Sequence, residues 1–185
     1  MIFLEGLLEG YHQYQGSTND CGPTVAAILG NAYLRQDRFQ GPEVAEWLNK
    51  IHLAAGPVPR PVVGRVPGWA TFPWGITHFL RSEGVPGGWK PFQKPEILHR
   101  GLRQNRLMAV VIGEPFRWKA GRYRGWSHYL VPCGYDQANG YLFLDPASRQ
   151  RPVGDRWEQG GLIWKTEREF LALWRKMLRV LITVG

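Results

Sequence analysis

The stretch Gln15 to Thr24, QGSTNDCGPT, decides how this chain is to be read. It sets Cys21 directly ahead of Gly22 and Pro23, and an apolar run, VAAILGNAYL, follows from Val25. Proline suits the start of a helix, where its missing N–H has no partner to lose. Val25, Ile28, Leu29 and Ala32 then fall at helical spacing. Cys21 therefore stands where a loop turns into a helix. There it can be a small buried residue, half of a disulfide, a metal ligand or a nucleophile.

Composition narrows these options. A chain of 185 residues, 44% hydrophobic and 13% aromatic, is expected to form one compact domain over 1–185 rather than a disordered polymer. Two cysteines make no disulfide framework, and neither belongs to a Cys-x-x-Cys or Cys/His cluster of the kind that holds structural zinc. The opening MIFLEGLLEG lacks a basic leader and is interrupted by Glu5 and Glu9, so it does not read as a signal peptide. Runs such as LMAVVIG are far too short to span a bilayer. A soluble, cytoplasmic protein with no membrane segment is the expectation.

The charge balance is basic, 23 Lys and Arg against 15 Asp and Glu, which suits an acidic partner. The charges are spread, however. The nearest thing to a cluster is RWKAGRYRGW, where Arg117, Lys119, Arg122 and Arg124 interleave with aromatics. Nucleic acid can stack on such a segment. With no recognisable binding motif around it, a solvated surface loop is expected and nucleic acid is not the expected partner.

Periodicity divides the chain into a helical part, about 1–105, and a sheet part, about 106–185. A second helix is predicted after Gly41-Pro42, with Val44, Trp47, Leu48 and Ile51 on its apolar face. Residues 54–75 carry five prolines and read as a long surface loop, either connecting two lobes or flanking a cleft. Two shorter helices are predicted at 76–83 and 95–104. Beyond them, LMAVVIG (107–113), HYLVPCGYD (128–136) and GYLFLDP (140–146) read as strands, the last two joined by a hairpin at Asn139-Gly140. Thr166 and Glu169 stand at capping-box spacing before another helix, and RVLITV reads as a strand. Helices followed by an antiparallel sheet define an α+β fold.

The chemistry follows from where these elements put particular residues. At a helix N-terminus the positive end of the macrodipole favours a thiolate, the reactive form of Cys21. A nucleophile attacking a carbonyl also needs a base and donors for the oxyanion. Gln15, six residues upstream, can aim its side-chain amide at that oxyanion together with the backbone N–H of Cys21. Of five histidines, His12, His52, His78 and His99 read as surface or interface residues. His128 opens a strand behind the flexible GRYRGWS segment. In an antiparallel hairpin the start of one strand and the end of the next share one end of the sheet, so Asp145 comes close to His128. A carboxylate there holds one ring nitrogen and leaves the other for Cys21. Cys133, an odd number of residues from His128, points to the opposite face and reads as core, unless Pro132 and Gly134 mark a bulge.

These residues carry a family resemblance. QGSTNDCGPTVAAIL resembles the N-terminal signature of the C39-like cysteine peptidases, in which a Gln, a six-residue step and Cys-Gly-Pro open the central helix. WSHYLVPCGYDQANGYLFLDP resembles the family's second block, with a His opening a strand and an Asp-Pro closing the next. The resemblance implies a papain-like fold with its site between a helical and a sheet lobe. It also implies thiol-dependent proteolysis: Cys21 as nucleophile, His128 as base and acid, Asp145 as orienting residue and Gln15 as oxyanion donor. Peptide or amide bonds would be the substrate, and no metal or organic cofactor is required. Well-known members trim leader peptides as domains of ABC transporters. This chain has no membrane segment, so the resemblance leaves the substrate open. Acyl transfer, amide hydrolysis on a small molecule, and peptide binding without catalysis are the alternatives.

Overall fold

The computed structural model describes residues 2–4, 9–54, 60–119, 121–148, 151–153, 156–158 and 161–185. Strand β1 is Ile2–Phe3, and a 3-10 turn spans Glu9–Tyr11. Helix α1, Cys21–Leu34, begins at the cysteine itself, so Pro23 is its third residue rather than its first. Every residue from Gly22 to Ala32 is buried. A helix apolar on all sides belongs inside a protein rather than at its surface.

Helix α2, Gly41–Leu48, ends earlier than its apolar spacing suggests. Ile51 starts strand β2, Ile51–Ala54, and is exposed. The proline-rich segment is a correction as well. It forms β3, Arg60–Val63, paired to β2, and then β4, Arg65–Val66, paired to β5, Ala70–Thr71. Each strand of a two-stranded ribbon is an edge strand, the setting in which a proline such as Pro61 is tolerated. Residues 55–59 lie outside the described residues. Helix α3, Pro73–Ser82, β6, Gly87–Lys90, and α4, Pro95–Arg103, follow. Both helices open on proline, in the position it suits.

Strands β7, Leu107–Lys119, and β8, Arg122–Asp136, are longer than predicted. The segment expected to be a flexible loop before His128 is strand, and His128 sits within β8 rather than at its start. Strand β9, Gly140–Leu144, returns through a turn in which Asp136 Oδ1 accepts from the N–H groups of Ala138 and Asn139. Short β10, Arg151–Val153, and β11, Arg156–Glu158, pair together. Then come β12, Leu162–Lys165, α5, Glu167–Lys176, and β13, Leu181–Val184. The capping box of Thr166 and Glu169 opens α5.

The main sheet has seven strands, all paired antiparallel. Six run in the order β12-β9-β8-β7-β13-β6, and β1 lies on the far end of β8. Two strands from the supposedly helical part, β1 and β6, thus complete the sheet, and the division near residue 105 is not clean. Leu107 to Ile112 are all buried, so both faces of β7 are covered. Helix α1 packs on β7 and β8, while α5 lays Phe170 over Tyr141 and Phe143, with Trp174 stacked on Phe170. Cys133 is buried at a bulge between Pro132 and Gly134, with its thiol donating to Leu142 O at 3.4 Å. It belongs to the core despite the broken register.

Candidate active site

Three pieces of backbone converge on the first turn of α1. Asp20 stands in the N-cap position, yet its carboxylate does not cap the helix; it pairs with buried Arg65 on β4. Gly22 lets β5 press against the helix, because a β-carbon there would collide with the Thr71 side chain. The Tyr129 hydroxyl donates to Thr71 O at 2.8 Å, and Asn19 Nδ2 donates to Gly68 O at 2.9 Å. The β4–β5 hairpin is thereby fixed as one wall of a cleft, with Trp69, Ala70 and Thr71 on its lining.

The opposite wall comes from β7 and β8. A bulge after Glu114 sets an extra residue on β7 and brings Phe116 within 5.4 Å of Trp69, ring centre to ring centre. Between the walls lies a cavity of about 210 Å³ whose lining includes Gln15, Cys21 and His128.

His128 Nε2 is 2.7 Å from Asp145 Oδ1, and Cys21 lines the same cavity as the ring, close enough to raise its pKa. With Nε2 occupied, Nδ1 is the nitrogen left for the sulfur. Burial by itself would push the His128 pKa down. The Asp145 hydrogen bond and the negative charges of Asp145 and Cys21 overcome this and raise it to about 9. Burial would push the Asp145 carboxyl up, but His128, the Ala147 N–H and Lys165 hold it below its usual 3.8.

Gln15 is held from both ends. Its Nε2 donates to Thr18 O at 2.8 Å, its carbonyl accepts from Thr18 Oγ at 2.7 Å, and its backbone N–H donates to Pro146 O at 2.9 Å. One side-chain N–H is therefore committed, and the other is not. The backbone N–H of Cys21, in the first helical turn, has no intrahelical acceptor.

The structure thus places Gln15, Cys21 and His128 on the lining of one cavity, with Asp145 behind His128 and bonded to its ring. It also shows a residue that sequence reasoning set aside. His12 Nε2 donates to the Asp145 carbonyl at 3.1 Å, and its ring packs where any β-carbon on Gly161 would sit. Burial lowers the His12 pKa, against the opposing pull of Asp145, so the ring is neutral and braces the Asp145 turn. Nothing in the spacing of GYHQYQ signals this contact. His52 stacks on Trp47 at 3.5 Å, and His99 Nε2 meets the Tyr141 hydroxyl at 2.8 Å. Both lie away from the cavity.

The chain resembles in structure a protein from Bacillus anthracis designated a C39-like peptidase, with a TM-score of 0.66 and 14% identity over 96% of each chain. At that identity the likeness is one of fold alone, that of a mixed helix-and-sheet protein with an antiparallel main sheet. No protein-family model matches the chain, and no curated protein matches it. Among the described residues, no helix is long and apolar enough to cross a membrane.

Proposed function

We propose that the protein is a cysteine hydrolase of peptide or amide bonds, working through an acyl-thioester on Cys21. The observation that carries this reading is the position of His128, bonded to Asp145 through one nitrogen and sharing the cavity wall with Cys21. In this reading the site lies between the helices and the sheet of one papain-like domain.

An imidazolium beside the sulfur favours the thiolate, which attacks the carbonyl carbon. The oxyanion that forms is held by the Cys21 backbone N–H and the uncommitted N–H of Gln15. His128 gives its proton to the departing amine as the C–N bond breaks. It then takes a proton from water, whose oxygen attacks the thioester; the acid leaves and the thiol is restored. Asp145 keeps the ring oriented and its charge balanced throughout.

The test is covalent labelling by a peptide carrying a cysteine-reactive warhead at the scissile position. Mass spectrometry should find the adduct on Cys21 and not on Cys133, with a rate far above that of a free thiol. His128→Ala should slow it sharply. Labelling no faster than a free thiol, and indifferent to His128→Ala, would sink the reading. Adding amine acceptors to a hydrolysis assay separates transfer from hydrolysis by product.

A further inference from the structure

The segment between Arg117 and Trp126 is not a loop but the outer part of the β7–β8 hairpin, and its side chains are arranged in a way the fold does not need. Arg117 stands directly opposite Arg124. Like charges facing each other across a strand pair destabilise it. The arm's own carboxylate, Glu114, is engaged by Lys176. Among the described residues, Arg117, Arg122 and Arg124 are exposed and have no ion-pair partner.

Their direction matters more than their number. The bulge's extra residue lies on β7, so alternation along β8 is uninterrupted. Alternate residues share a face, which puts Arg122, Arg124, Trp126 and His128 in one row, with Arg117 beside Arg124. The stretch of β8 from Gly125 to Tyr129 lines the cavity, Trp126 and His128 included, so the arm starts at the candidate active site and runs outward. At about 3.3 Å per residue, Arg124 lies roughly 13 Å and Arg122 roughly 20 Å along the strand from His128. An extended peptide with its scissile bond at Cys21 would reach them about four and six residues away.

We propose that this arm is a substrate-recognition surface that takes an acidic stretch of peptide flanking the bond to be cleaved. This deepens the function proposed above and rests on it for the word substrate. A peptide fits better than nucleic acid because the arm leads to the cavity that Cys21 lines and its arginines are spaced like alternate residues of an extended chain.

The test needs no turnover. Cys21 of the full chain is alkylated with iodoacetamide at low salt and followed by mass spectrometry, with short synthetic peptides as protectants. Each peptide joins an apolar segment to a run of glutamates, in either order, and each has a glutamine counterpart. One glutamate order should protect Cys21 at a concentration about tenfold lower than its counterpart, the size expected from a few exposed charge pairs. The advantage should fade at about 0.5 M salt, where screening is short-ranged. It should vanish in the triple variant Arg117→Gln, Arg122→Gln, Arg124→Gln, and survive when the same charge is removed at Arg100, Arg103 and Arg106. Circular dichroism should show both triple variants folded.

Equal protection by glutamate and glutamine peptides would overturn the proposal. So would loss of the advantage in the control triple, or equal protection by an oligonucleotide of matched charge. Should the warhead peptide fail to label Cys21 while glutamate peptides still protect it, the hydrolase reading falls and the acidic-peptide surface stands. The reverse pattern leaves the hydrolase and removes the surface.

Discussion

Asp145 Oδ1 accepts two hydrogen bonds, from His128 Nε2 at 2.7 Å and from the backbone N–H of Ala147 at 2.7 Å. The second bond holds the carboxylate in place by the turn it belongs to, so the ring it supports is oriented by backbone as well as side chain. Asp145→Asn keeps the shape but offers an amide where an acceptor is needed. Turnover should fall by about 10²–10⁴-fold, as when a triad loses its carboxylate. The His128 titration followed by NMR should move down from about 9, since burial then meets less opposition. An unmoved titration would disconnect the two residues.

Gln15 reaches the cavity through a side chain tied to Thr18. Gln15→Ala should lower kcat by about 10²–10³, the usual effect of losing one oxyanion donor, with much less change in KM. A pure KM effect would make Gln15 a binding residue instead.

The raised pKa of His128 has a consequence for stability. The folded state holds the ring's proton up to about 9, whereas the unfolded chain releases it near 6.5. The stabilisation is therefore complete below about pH 6.5 and is lost as pH rises through about 9. Asp145 runs the other way: its pKa is lowered, so its contribution is present above 3.8 and lost as pH falls below that. Thermal melts across pH should show both limbs, and His128→Gln should flatten the alkaline one. An alkaline limb unchanged in that variant would refute the assignment.

Gly161 combines a positive φ of 93° with the close approach of the His12 ring, and its carbonyl accepts from the Asp145 N–H at 2.6 Å. Gly161→Ala strains the backbone and pushes His12 from the Asp145 turn. It should lower the melting temperature and slow Cys21 labelling together. His12→Ala combined with Gly161→Ala should recover part of the labelling rate, because the collision is gone. No recovery would leave backbone strain as the whole effect.

What the sequence made legible was local or periodic. The Asn139-Gly140 turn, the Thr166–Glu169 cap and the spacing after Cys21 each depend on neighbours in the chain, and each element appears where expected. The hairpin argument also brought Asp145 to His128. The misreadings came from tertiary pairing. Gly87-Gly88-Trp89-Lys90 has no strand pattern and is a strand because β13 pairs with it. Proline hid two hairpins, and the Arg-rich arm looked like a loop until β7 supplied its register. His12 was invisible because its partner lies 133 residues away.

One bond described above joins the two halves of the candidate chemistry. The Gln15 N–H is fastened to the carbonyl of Pro146, the residue directly after Asp145. The amide that would meet developing charge and the carboxylate that would steady the imidazole therefore ride on a common strap. Displacing either segment drags the other with it. Sequence drift at this site should then be concerted, with changes in the Gln15 turn tolerated only alongside matching changes around the Asp-Pro corner.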